Sequence, residues 1–199
     1  MSKQPDLTRE ELIRLIAVAT EPLNLVGANL TGVNLSFLNL SGANLVGANL
    51  TDLTSANLTG ANLEGAHLNG GDLCRANLSG ANLSGAYLEV ANLNYTNLTG
   101  ANLEGAHLTK ADLSGSCLVG ANLTNAQLTG TKLHAANQLE GANLEGADLT
   151  GVSLQDEIDR EYKVEAASEE LKNRKVEFGR WLIILFIIWI LCYYIFFNG

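Results

Sequence analysis

Leucine recurs every fifth residue along most of the chain. One run is Leu25, Leu30, Leu35, Leu40, Leu45 and Leu50, a second steps by five from Leu53 to Leu133, and a third is Leu139, Leu144, Leu149 and Leu154. A small residue stands two places before most of these leucines, as at Ala28, Ala61, Ala81, Ala101 and Ala121. Asn or Asp usually stands immediately before the leucine, and Gly is common two places after it. A period of five fits neither an amphipathic helix nor a flat alternating strand. Frequent Asn and Gly would weaken a helix interior and suit tight turns. The pattern therefore predicts a short extended piece and a corner, repeated, with one large and one small side chain inward. A single piece cannot bury its leucine, whereas stacked coils can, with backbone groups pairing between coils.

The segments Ala61 to Gly65 and Ala101 to Gly105 read Ala-Asn-Leu-x-Gly. This motif resembles the consensus of the pentapeptide-repeat family, and the resemblance extends over roughly residues 23–155. It implies an all-β solenoid, a right-handed quadrilateral β-helix with four pentapeptides per square coil. About 27 repeats would form about seven coils, and at ~4.8 Å per coil the rod would be about 33 Å long. Two breaks interrupt the register. Leu50 and Leu53 are three apart, and Leu133 and Leu139 six apart with Ala136, Asn137 and Gln138 carrying the extra residue. Both read as local bulges or loops, either tolerated length changes at corners or recognition loops.

The flanks differ from the repeats. Residues 1–22 read as an N-terminal capping helix, with the helix over 8–20, Thr8 and Glu11 as a capping box, an apolar stripe of Leu12, Leu15, Ile16 and Ala19, and Pro22 as its stop. An open solenoid end needs such a cap. Val26, Phe37, Leu38 and Val46, apolar residues at outward or normally small positions in the first coils, would pack against the cap or a partner. Residues 156–180 read as a charged helical linker with a short seam of Val164, Ala167, Leu171 and Phe178. Residues 181–197 carry no charge and read as one transmembrane helix, with Trp181, Trp189, Tyr193 and Tyr194 as its aromatic anchors. Lys172, Arg174, Lys175 and Arg180 precede that span, which would place the solenoid in the cytoplasm as a tail-anchored, single-pass protein.

Composition narrows the function. The net charge of −9 argues against a basic nucleic-acid groove. Cys74, Cys117 and Cys192 are odd in number and widely spaced, so neither a disulfide framework nor a metal knuckle is expected. Repeated Asn-Leu-Thr and Asn-Leu-Ser triplets match the glycosylation acceptor, and no charged-then-apolar leader opens the chain; both point away from a secretory lumen.

No phosphate loop, paired-histidine motif, Cys-x-x-Cys or nucleophile elbow occurs, so the chain reads as non-enzymatic, with no cofactor and no metal. A coil of twenty residues aligns His67, Tyr87, His107 and Gln127 in one column and Asp72, Asn92, Asp112 and Lys132 in the next. Arg75 aligns with Tyr95, and Val90 with Lys110. Bulky and charged residues thus gather on two adjacent faces, while the other two stay near consensus. His67, Arg75, Tyr87, Tyr95, His107 and Lys110 are the candidate partner-binding residues, against the alternative of drift on a solvated wall. The function expected is a membrane-tethered protein–protein interaction scaffold, assembly factor or accessory subunit, with homo-oligomers through the linker or the transmembrane helix as an option. The resemblance implies a cyanobacterial setting, at a plasma or thylakoid membrane. It also implies an alternative, since quinolone-resistance members of the family mimic duplex DNA and bind gyrase. The nine acidic and three basic residues of 23–155 are a modest excess for such a mimic.

Overall fold

The computed structural model describes residues 4–134 and 139–153. The chain divides into two compact units, Met1–Val164 and Glu165–Gly199, and every described residue lies in the first. From Leu23 onward each pentapeptide is one side of a square coil. Residues at the Asn position pair in parallel with their counterparts one coil away, forming four columns. Face one runs through Asn24, Asn44, Asn62, Asn82, Asn102, Asn122 and Asn143. Face two runs through Asn29, Asn49, His67, Tyr87, His107, Gln127 and Asp148. Face three runs through Asn34, Asp52, Asp72, Asn92, Asp112, Lys132 and Ser153, and face four through Asn39, Asn57, Asn77, Asn97 and Cys117. Coils are counted from face one, so His67 belongs to the third, Tyr87 to the fourth and His107 to the fifth.

The pentapeptide fits this path because each position meets one requirement. The leucine turns inward with the small residue, and from Leu30 to Leu128 the register leucines are 2 % exposed or less. The leucine carbonyl accepts a bond from the N–H three residues on, closing the corner, as Leu63 does from Ala66 at 3.0 Å. The leucine N–H donates to the next coil (Leu63 to Asn82, 2.6 Å). The corner residue two after the leucine does the same (Gly65 to Ser84, 3.0 Å). The N–H just after the leucine has no such rung, and the Asn side chain supplies its acceptor, as Asn62 Oδ1 does for Glu64 at 3.3 Å. That bond accounts for the preference for Asn or Asp before each leucine.

At Leu50–Leu53 the structure shows no bulge. The two corner residues are absent, Thr51 takes the small-residue place, and its Oγ1 accepts from Gly32 N–H at 3.0 Å while its carbonyl accepts from Asp72 N–H at 2.8 Å. The columns continue across the shortened corner, with Asn34 paired to Asp52 and Asp52 to Asp72. At the second break residues 135–138 lie outside the described residues, and the rung from Asn122 to Asn143 is longer by one residue than the regular rung of Asn102 to Asn122.

The helix α1 spans Arg9–Val18, with Thr8 as N-cap and the reciprocal capping box with Glu11 formed. It is shorter than the 8–20 expected, because Ala19 already adopts an extended backbone ahead of Pro22. Leu12 is fully buried against the first coil, and Arg9 donates to the Asn34 and Ser36 carbonyls and to Asn34 Oδ1. Asp6 exchanges bonds with Asn29, its N–H reaching the Asn29 carbonyl at 2.7 Å. Residues 4–12 thus cover part of the first coil's open edge, at Asn29, Asn34 and Ser36. The cap does not cover the outward apolar residues: Phe37 and Val26 remain exposed, while Leu38 packs partly against the core.

The expected single-pass membrane placement is corrected here. Among the described residues no helix is long and apolar enough to cross a membrane. The helix α1 has ten residues, including Arg9, Glu10, Glu11 and Arg14, and spans about 15 Å against a hydrocarbon core of about 30 Å. The charged segment 156–180 and the segment 181–197, with Trp181, Trp189, Tyr193 and Tyr194, lie outside the described residues.

If buried leucines hold the coils together, Leu88→Ala, at a fully buried site in the fourth coil, will cost about 2–5 kcal/mol in urea unfolding. A loss below about 1 kcal/mol would contradict this packing account.

Candidate interaction face

Among the described residues each complete corner has a left-handed backbone at its third residue, the conformation that glycine adopts most readily. Seventeen of these residues are glycine and seven are not. A side chain in this conformation costs about 1–2 kcal/mol, and a β-branched one is a genuine outlier. The seven are unevenly placed. Along the corners on either side of face one, all are glycine except Asn125, and Asn tolerates the conformation. The corners flanking face three carry the other six. Val90 and Lys110 lie between faces two and three, and Phe37, Ser55, Arg75 and Tyr95 lie between faces three and four.

Face two replaces its asparagine ladder with rings. The rings of His67, Tyr87 and His107 stack along the rod, with centroids 4.9 and 4.8 Å apart and planes within 5° and 12° of parallel. His107 Nδ1 lies 3.2 Å from Gln127 Oε1, which extends the column. Tyr87 cannot offer the carbonyl that an Asn would give to the corner N–H of Glu89. Asn69 of the coil above supplies it instead, at 2.9 Å. By contrast face one keeps its ladder, with Asn82, Asn102 and Asn122 each donating to the Asn one coil above at 3.0–3.2 Å.

Face three is polar and internally paired. Asp72 Oδ1 accepts from Asn92 Nδ2 and from Cys74 N–H, both at 3.0 Å. Asp112 accepts from Ser114 Oγ at 2.6 Å and faces Lys132 Nζ at 3.4 Å. Burial raises the Asp112 carboxyl, but the bonds from Ser114 and the Lys132 charge outweigh it and hold the group below the ordinary carboxylate range. On the corner beyond, the Arg75 guanidinium sits 6.0 Å from the Tyr95 ring centroid, within reach of a cation–π contact. The Tyr95 ring lies over Gly115 of the next coil, where an added Cβ would stand 2.6 Å from its Cδ1.

The candidate residues thus occupy three consecutive coils. His67, Tyr87 and His107 share face two, Lys110 lies on the corner beside it, and Arg75 and Tyr95 lie on the far edge of face three. Tyr87, Val90 and Tyr95 all belong to the fourth coil and are 37 %, 64 % and 65 % exposed. Val90, which aligns with Lys110, is not among the candidate residues. A valine standing where the repeat puts glycine was the available signal. Among the described residues no group of His, Cys, Asp and Glu could hold a metal ion.

The sequence matches the family described as pentapeptide repeats, in eight copies, over residues 23–52, 56–94, 88–125, 106–137 and 120–156. The chain belongs to the pentapeptide-repeat family. Its coiled part is accordingly a right-handed β-helix solenoid. No curated protein sequence matches it. Among solved structures, Rfr23, a pentapeptide-repeat protein of the cyanobacterium Cyanothece 51142, is 32 % identical. That match covers 74 % of this chain and 95 % of Rfr23, with a TM-score of 0.28. HetL, a pentapeptide-repeat protein involved in heterocyst differentiation regulation in Nostoc sp. strain PCC 7120, is 27 % identical over 75 % of this chain and 98 % of its own, at a TM-score of 0.20. A trypsin-treated variant of QnrB1, a plasmid-mediated fluoroquinolone resistance protein, is 23 % identical over 78 % and 86 %, at 0.48.

The Tyr95–Gly115 contact gives a direct check. Gly115→Ala will cost about 1–3 kcal/mol, combining the left-handed conformation with displacement of the Tyr95 ring. In a Tyr95→Ser background the cost will fall by about 1 kcal/mol. Equal costs in both backgrounds would show that ring and glycine are uncoupled.

Proposed function

We propose that this pentapeptide-repeat rod is a non-catalytic protein-interaction scaffold. Its partner face is face three with its two flanking corners and the adjoining aromatic column of face two. The observation that carries the reading is the segregation of non-glycine residues among the left-handed corners. Random drift on a solvated wall would scatter such costly residues over all four corners. Six of the seven instead border one face, and costly backbone retained at one place supports a function there. Of the residues concerned, Arg75 and Tyr95 are of types enriched among the residues that carry binding energy at protein interfaces.

Replacing these corner residues by glycine separates binding from folding, because glycine is what the backbone prefers at each. The variant Arg75→Gly/Tyr95→Gly will keep its circular dichroism and unfold within about 1 kcal/mol of the parent. A cross-linked partner captured by the parent in its native extract will be reduced at least tenfold. Undiminished capture by the glycine variant would overturn the assignment of this face.

A further inference from the structure

Face two carries a charge pattern of its own around the aromatic column. Of the nine acidic residues in 23–155, five lie on face two or its two corners. Glu64, Glu104 and Glu145 are on the one–two corner, Glu89 on the two–three corner and Asp148 in the column itself. The same stretch has only three lysines and arginines. Arg75 stands on the three–four corner, across face three, and Lys132 belongs to the face-three column, where it faces Asp112 at 3.4 Å. Lys110 is the basic residue beside face two, on the two–three corner of the fifth coil. Its stem leans away from Glu89 and towards the sixth coil, where its Cγ would stand 3.5 Å from a Cβ added at Gly130.

Glu64, Glu89 and Glu104 flank the column in the third, fourth and fifth coils, the coils of His67, Tyr87 and His107. Glu64 and Glu104 stand on one side of it and Glu89 on the other, and all three are exposed. Each engages its backbone N–H, with Asn62, Asn69 and Asn102 in turn. Among the described residues none of the three carboxylates makes a hydrogen bond or an ion pair. Stacking covers the ring faces of Tyr87 and turns its edge outward, and its hydroxyl has no partner among the described residues.

An aromatic centre with charge held at its rim matches the anatomy of a protein interface. Lysine and arginine side chains fit it, because their apolar stems can lie along ring edges while their heads reach the carboxylates. Attraction at a distance and at contact has one sign here. The whole chain, at −9, draws a cation towards the rod. Within a Debye length of about 8–10 Å the three glutamates then meet it.

We propose that face two receives a basic protein segment, its lysine or arginine heads meeting Glu64, Glu89 and Glu104 and their stems lying along the edges of His67, Tyr87 and His107. The proposal rests on the assignment of the aromatic column to the partner face above and names the chemistry of what binds there. The test titrates the purified full chain against three fluorescein-labelled decapeptides, of alternating Arg and Ala, Gln and Ala, and Glu and Ala, by fluorescence anisotropy at pH 8. The Arg–Ala peptide will bind at least about tenfold more tightly than either other peptide. Glu64→Gln/Glu89→Gln/Glu104→Gln will lower its affinity at least about tenfold. Glu10→Gln/Glu21→Gln/Glu140→Gln removes three charges from exposed positions elsewhere and will lower it less than about threefold. Tyr87→Asn, which restores the residue usual at that place in the repeat, will lower it about three- to tenfold and leave the circular dichroism unchanged.

Equal losses in the two triple variants would mean that the peptide samples the whole acidic chain, and would overturn the proposal. So would equal binding of the three peptides, no binding up to millimolar concentration, or full affinity in Tyr87→Asn. A dimer in sedimentation that dissolves in Tyr87→Asn would assign the face to a second copy of this chain and overturn it equally. Partner capture that is lost with the glycine corners, in a chain that shows no preference for the Arg–Ala peptide, would overturn this inference and leave the scaffold reading standing.

Discussion

A pentapeptide closes into one side of a square coil only if its corner can turn left-handed. That backbone constraint governs everything else in the rod. It places successive leucines inward at the same height and aligns each corner N–H with a carbonyl of the next coil. It also leaves one N–H per corner for the Asn side chain to satisfy. Burial supplies the stabilisation, at about 1.5–3 kcal/mol for each enclosed leucine, but the corner decides whether the leucines meet. Glycine meets the requirement without steric cost, so a side chain at a corner adds a conformational cost that glycine does not carry.

This division between plain and costly corners is what gives the rod a front and a back. Face one and its corners repeat Asn and Gly with little variation, and its side-chain amides bond from coil to coil. Face three exchanges that regularity for Asp and Lys, and its corners for Phe, Ser, Arg, Val, Tyr and Lys. The aromatic column on face two keeps the rung spacing of the backbone, because rings stacked 4.8–4.9 Å apart match the distance between coils. The rod therefore accommodates these rings without leaving its lattice, and only the hydrogen bond normally given by Asn has to be supplied from elsewhere. Asn69 does so for the coil of Tyr87.

Much of this was legible in the sequence. The leucine period defined the coil, and a coil of twenty residues placed His67, Tyr87 and His107 in one column and Arg75 with Tyr95 in another, where the structure has them. The capping box at Thr8 and Glu11 was equally plain, because it depends on residues three apart. Other features were hidden by longer-range geometry. The step from Leu50 to Leu53 read as a bulge or loop, either a tolerated length change at a corner or a recognition loop, and the structure has the length change, with the corner deleted outright and Thr51 Oγ1 taking over one corner N–H. The left-handed state of Val90 or Lys110 cannot be read from its own residue type, which disfavours that state. It follows only from the position's place in the repeat. The membrane placement rested on residues 181–197 and on the basic residues Lys172, Arg174, Lys175 and Arg180 before them, all outside the part of the chain that the structure describes.

The most direct test compares two exchanges of valine and glycine in urea unfolding. Val90 holds a left-handed corner beside face three, and Gly80 holds the same position beside face one with open space around it. If corner geometry governs the rod and Val90 is kept for its surface, Val90→Gly will stabilise the protein by about 0.5–1 kcal/mol, and Gly80→Val will destabilise it by about 1–2 kcal/mol. A loss of stability in Val90→Gly comparable to that in Gly80→Val would contradict the account.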